Sequence, residues 1–162
     1  MKYFSCVAHT VVFGLLEEGS GSDYSKYELT KDSSAIGFCE FPSHLPPRFS
    51  VSEDGSFAVY AGCNAYFVTK KQSLIHIEEK EEISNIWFLD GFIIVKCETL
   101  FIKMSLSELR IQREYWHEEI ITAALLMECG AIAFQDLNNG VYELNLDDFS
   151  VKSSTYPFDK LS

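Results

Sequence analysis

The sequence predicts an all-β protein built of antiparallel meanders, in about four blade-like repeats that form a partial, half β-propeller. Three observations lead there. First, Asp90-Gly91 stands between the apolar runs Ile83–Leu89 and Phe92–Lys96. That is the strongest short-range hairpin signal, because glycine accepts the positive φ such turns need. Second, the pattern recurs: Gly55 lies thirty-six residues upstream and Gly130 thirty-nine residues downstream, and each is followed by a short apolar strand. Third, the chain is rich in strand formers, with 13 Phe and 8 Tyr in 162 residues.

Each repeat carries the same parts. The strands Phe57–Ala61, Phe92–Val95 and Ala131–Phe134 run into polar turns at 62–64, 97–99 and 136–140. A further strand follows at Tyr66–Thr69, Leu100–Met104 and Val141–Leu144, and a short alternating piece at 74–77, 109–112 and 149–152 closes each unit. Four strands in a period of about 35–40 residues mark propeller blades. The competing architecture is a β-sandwich, which also uses short strands at regular spacing.

In chain order, 2–8 and 10–16 read as two strands and Glu17–Ser25 as a polar loop. Strands at Tyr24–Thr30 and Ala35–Phe41 complete an atypical first unit over 1–41, a blade of different layout or a cap of the array. Phe41–Pro47 is a stiff connection whose three prolines end any ladder. Repeats then span 48–78, 83–115 and 120–153, all within one domain of 1–162. Residues 105–119 hold the one helix-like pattern, with Ser105 or Ser107 as possible caps, but the repeat favours a strand at 109–115. Four blades are too few for a closed ring with a wide channel, so an open arc with exposed flanking strands is expected.

Acidic residues outnumber basic ones, 24 to 13, for a net charge of −11. That argues against nucleic acid as a direct partner and suits a basic protein partner. No run approaches a membrane-spanning length. Five cysteines, at 6, 39, 63, 97 and 129, are odd in number and dispersed, as for reduced thiols in a cytoplasmic protein.

Catalysis is not expected. The histidines are His9, His44, His76 and His117, and His9 and His76 alternate with apolar residues as strand positions do. No Gly-x-Ser-x-Gly elbow, phosphate loop, CxxC pair or metal-ligand spacing occurs, so neither cofactor nor metal is implied.

The acidic runs are placed by the repeat. Glu78, Glu79, Glu81 and Glu82 join one repeat to the next, and Glu114, Tyr115, Trp116, Glu118 and Glu119 occupy the equivalent connection, with Glu82 and Glu118 thirty-six residues apart. Equivalent loops of neighbouring blades emerge on one face, which therefore gathers at least seven carboxylates, Tyr115 and Trp116. The turns at 62–64, 97–99 and 135–139 should open onto the same face and add Glu98 and Asp136. An aromatic pair inside an acidic rim suits the binding of a basic partner, whereas charged runs also serve simply as solvated loops.

The repeats around SEDGSFAVYAG and FLDGFIIVK, with the acidic loops IEEKEEI and REYWHEEI, resemble the bacterial immunity proteins of contact-dependent growth inhibition and other polymorphic toxin systems. The resemblance implies a cytoplasmic, non-enzymatic protein that covers the active site of a cationic nuclease toxin, an RNase by preference, in a heterodimer. The alternative is a non-catalytic propeller-like scaffold for protein–protein interaction.

Overall fold

A computed structural model of the chain describes residues 3–8, 11–69, 73–155 and 157–160. His9 and the tip of the first hairpin lie outside the described residues. The chain folds into four four-stranded antiparallel sheets, each a meander of consecutive strands. The first holds β1 (Tyr3–Ala8), β2 (Val11–Ser20), β3 (Tyr24–Lys31) and β4 (Ser34–Pro42). The second holds β5 (Arg48–Val51), β6 (Phe57–Ala61), β7 (Asn64–Val68) and β8 (Leu74–Glu78). The third holds β9 (Asn85–Leu89), β10 (Phe92–Lys96), β11 (Leu100–Ser105) and β12 (Ile111–Trp116), and the fourth β13 (Ile121–Leu126), β14 (Ala131–Asp136), β15 (Val141–Asn145) and β16 (Val151–Ser153).

The hairpin glycines set the turns. Gly55, Gly91 and Gly130 have φ of +85°, +78° and +77°, a region that costs side-chain-bearing residues strain. Between the turns, β6, β7, β10 and β11 are near-continuous apolar runs, because both faces of the second and third sheets are covered. Strand alternation deals their side chains to opposite sides. Phe57, Val59 and Ala61 enter a cluster with Phe13, Leu15, Tyr27 and Phe41 of the first sheet. Ala58 and Tyr60 enter one with Ile86, Ile93, Val95 and Ile102 of the third. Ile94 and Phe101 point the other way, to Ile132, Phe134 and Leu144 of the fourth. Three clusters thus join four sheets in series, which is an open arc of blades and not a two-sheet sandwich. Each fully buried Phe or Ile in these interfaces contributes about 1.5–3 kcal/mol.

The first unit departs from its expected layout. It has the same strand order as the others, with longer strands of 6 to 10 residues. Glu17–Ser20 belong to β2, not to a loop, and a register shift between Glu17 and Gly19 accommodates them. The 105–119 segment forms no helix. Ser105 Oγ accepts the Glu108 amide at 3.3 Å in a turn that ends at Leu109, whose φ is +49°, and β12 starts only at Ile111.

Candidate interaction face

Blade-to-blade connections and the second turn of each blade meet at one end of the arc. The loop from β8 to β9 lies on the β6–β7 turn, with the Glu79 and Ile83 amides donating to the Cys63 and Gly62 carbonyls at 2.8 Å each. The loop from β12 to β13 lies between two turns. The His117 amide donates to Thr99 O at 2.8 Å and the Ile121 amide to Glu98 O at 2.7 Å, while the Leu137 amide donates to Ile120 O at 2.9 Å. The connection from β4 to β5 joins the same end through Ser43, whose amide donates to Asp23 O at 2.8 Å. Such pairing satisfies loop backbone that would otherwise be buried without partners.

Side chains then latch each entry loop to the turn of its own blade. At the second blade the latch is apolar: Leu45 and Pro42 close over Gly62, where a Cβ would stand 3.4 and 3.0 Å from them and φ is +57°. At the third blade Glu81 takes two hydrogen bonds from Thr99, from the amide at 2.7 Å and the hydroxyl at 2.6 Å. At the fourth blade His117 Nε2 lies 3.3 Å from Asp136 Oδ2, and its Nδ1 lies 3.0 Å from the Tyr115 hydroxyl. Asp136 Oδ1 also accepts the Gly140 and Asn138 amides at 2.7 and 3.0 Å. Burial would raise the Asp136 pKa, but bonds from His117, Gly140, Tyr142 and Asn138 outweigh it and hold the carboxyl below its ordinary 3.8. Two cations tie blades together beneath the loops. Buried Lys96 donates to Ser84 Oγ at 2.7 Å and to Ile121 O at 3.0 Å, and burial lowers its pKa. Arg48 donates to Ser84 O and Ile83 O at 2.8 and 3.0 Å and stands 3.9 Å from Glu82.

The predicted site residues do not act as one group. Glu78, Glu82, Glu118 and Glu119 are exposed at the connection end. Glu79 is half-buried there, and burial together with the nearby Glu114 raises its pKa. The Cys63 thiol is raised by burial and then by Glu82, Glu78, Glu98 and Glu79, which reports how densely negative this end is. Glu81 is engaged by Thr99. Glu114, Tyr115 and Trp116 sit in β12 rather than in the connection, which is 117–120. Because a strand alternates its faces, Tyr115 pairs with Phe101 and packs towards the fourth blade, while Trp116 pairs with Leu100, points the other way and is 53% exposed. The expected aromatic pair is therefore split across the sheet.

Three features of this end escape a reading of acidic runs. His117 and Asp136 form a buried polar pair, at 8% and 4% side-chain exposure. Their signal in the sequence is the repeat itself, since His117 stands thirty-six residues after Glu81 and Asp136 thirty-seven after Thr99. Ile120 and Leu137 are exposed, 44% and 58%, directly beside Glu118 and Glu119. Between Tyr115–Glu119 and Asp136–Tyr142 lies an open cleft of about 490 Å³. A larger cleft, about 780 Å³, opens at the opposite end, lined by 51–54, 88–91 and Leu106.

His76 is exposed, bonded to Asn64 at 2.8 Å and stacked on Tyr66. Burial pushes the thiols of Cys39 and Cys97 up to about 12. Among the described residues no helix is long and apolar enough to cross a membrane, and no three His, Cys, Asp or Glu side chains converge to hold a metal ion.

No protein-family model matches the chain, and no curated protein matches it in sequence. Solved structures do match. The crystal structure of HIRA(644-1017) superposes with a TM-score of 0.56 at 8% identity, over 94% of this chain and 53% of that one. A protein of unknown function from Bacteroides caccae gives 0.49 at 13% identity, over 83% of this chain and 58% of that one. This chain spans about half the length of the HIRA fragment, and the similarity to it is one of fold: an all-β arc of four blade-like antiparallel sheets.

Proposed function

We propose that the chain is a non-catalytic, propeller-like interaction module that binds a basic protein segment on its connection end. The observation that carries this reading is the exposure of Ile120 and Leu137 next to Glu118 and Glu119, with Trp116 exposed on the third blade, Glu82 on its entry loop and Glu78 at the end of the second. Exposed apolar side chains give contact area that excludes water, and the carboxylates around them select a cationic surface and speed its approach. The latches hold the loops that carry these groups, so little ordering remains to oppose binding. A narrower form of the same reading is neutralisation of a basic nuclease, in which Glu78, Glu79, Glu82 and Glu98 around Cys63 would face the cationic site where such an enzyme holds phosphate.

The test uses a cationic Lys/Leu peptide and calorimetry. Binding should weaken roughly tenfold or more between low and high salt, and Glu118→Gln/Glu119→Gln/Leu137→Ser should lose about tenfold at fixed salt. Glu53→Gln/Asp90→Asn, at the opposite end, should change little. Equal losses from both sets would mean non-selective attraction to an acidic chain and would end the proposal. For the nuclease form, mixing with the gene-neighbour product should silence a nucleic-acid-cleaving activity, and an inert neighbour removes it.

A further inference from the structure

The two ends of the arc are finished differently. Beyond the last blade, the 3₁₀ turn Phe158–Lys160 lies against β14, and Ala133, whose side chain points away from the interface with the third blade, is fully buried. The outer face of the first sheet has no such cover among the described residues. Tyr3, Val7, Val12, Tyr24 and Phe38 are 60%, 67%, 40%, 55% and 51% exposed. Register and alternation put them all on that one face, opposite Phe13, Leu15, Tyr27 and Phe41. Five large apolar side chains exposed on one sheet face, interleaved with Ser5, Thr30, Lys26, Glu28 and Glu40, have the mixed character of an interface.

We propose that this face is the dimer interface of the protein, occupied by the same face of a second copy across a two-fold axis. Three observations select that occupant. Ring closure by a second half-propeller would need the outer face of the fourth sheet, where the chain's own 3₁₀ turn packs against β14 and stands in the way of head-to-tail stacking. A basic partner has little to recognise, because the charges that alternate onto the face are Lys26, Glu28 and Glu40, nearly balanced in a chain of net charge −11. A second copy offers the same Lys26, Glu28 and Glu40, so a two-fold axis allows Lys26 of one copy to face a glutamate of the other. The size also suffices. Four strands spaced about 4.8 Å apart and roughly eight residues long cover about 500 Å² per copy. Two copies then bury about 1,000 Å², the scale at which specific interfaces begin. Lys26 Nζ lies 4.3 Å from the Phe38 ring centroid, so within one copy the ammonium rests on that ring.

Light scattering on the full chain across micromolar concentrations should report twice the 18.4 kDa of one chain. Phe38→Glu should return it to monomer, or weaken the dimer at least tenfold, with the β-sheet circular dichroism signal unchanged, since the side chain is half exposed in the monomer. Val7→Asp is a second disruption at a more exposed position and serves where Phe38→Glu perturbs folding. A mass of one chain at every concentration overturns the proposal. So does a dimer that survives both substitutions, or an open-ended series of larger species, which would signal head-to-tail stacking.

Discussion

The third and fourth blades solve the same problem with different chemistry. Both must hold an entry loop down on the turn between their second and third strands. The third uses a carboxylate on the loop and a hydroxyl and amide on the turn, Glu81 to Thr99. The fourth reverses the roles, with an imidazole on the loop and a carboxylate on the turn, His117 to Asp136. The second blade, at the same repeat position, uses no polar side chain at all, only Leu45 and Pro42 over Gly62. What repeats every thirty-six or so residues is a geometry and not an identity. The packing of blade on blade fixes where loop and turn meet, and any pair that satisfies buried polar groups or fills the space will serve.

The fourth latch should be the more costly to break, because it is buried and many-partnered. Asp136→Ala leaves the Gly140 and Asn138 amides, the His117 imidazole and the Tyr142 hydroxyl without their acceptor. Unsatisfied buried donors cost about 1–3 kcal/mol each before relaxation, so the expected loss is about 3 kcal/mol, or roughly 6–12 °C in Tm by calorimetry. A change under about 1 kcal/mol would mean that water replaces the carboxylate and that the cleft beside it already wets the pair.

Glu81→Ala should cost less, about 1–1.5 kcal/mol in urea denaturation, since the carboxylate is only half-buried and Thr99 can turn to solvent. A loss as large as that of Asp136→Ala would erase the distinction between the two latches and point to the third entry loop as the firmer one.

The smallest effect is in acid. The folded-state pKa of Asp136 is depressed below its ordinary 3.8, so its contribution is fully present above that value and is lost as pH falls through the lower folded one. The stability gap between the wild type and Asp136→Asn should therefore narrow as pH is lowered below about 4. A gap independent of pH would show that the amide reproduces the latch, and that charge contributes nothing to it.

Much of the fold was legible in the residues themselves. The glycines at 55, 91 and 130 marked the hairpins because a positive φ is a local demand. The runs FAVYA, AYFV and FIIV read as apolar strands, and neighbouring sheets cover both of their faces in the structure. The 79–84 and 117–120 connections meet the second turns of their blades at one end, since a constant strand count returns every equivalent loop to the same side. The site was less legible. Tyr115 and Trp116 are neighbours in sequence, yet both lie in strand and not in loop, so alternation sends them to opposite faces. Glu81 looked like Glu78 and Glu82 until the turn of the next sheet came within reach.

The sequence by itself determined the number of blades, the ends of most strands and the sign of the charge on the connection end, because each follows from turn residues, alternation and composition within a few positions. Only the tertiary structure decided which carboxylates remain open to a partner, that His117 belongs to Asp136, and that the outer face of the first sheet exposes large apolar side chains among the described residues while a 3₁₀ turn packs on β14 of the last. Those outcomes depend on groups some twenty residues or more apart meeting across a packed interface, and no local pattern encodes that meeting.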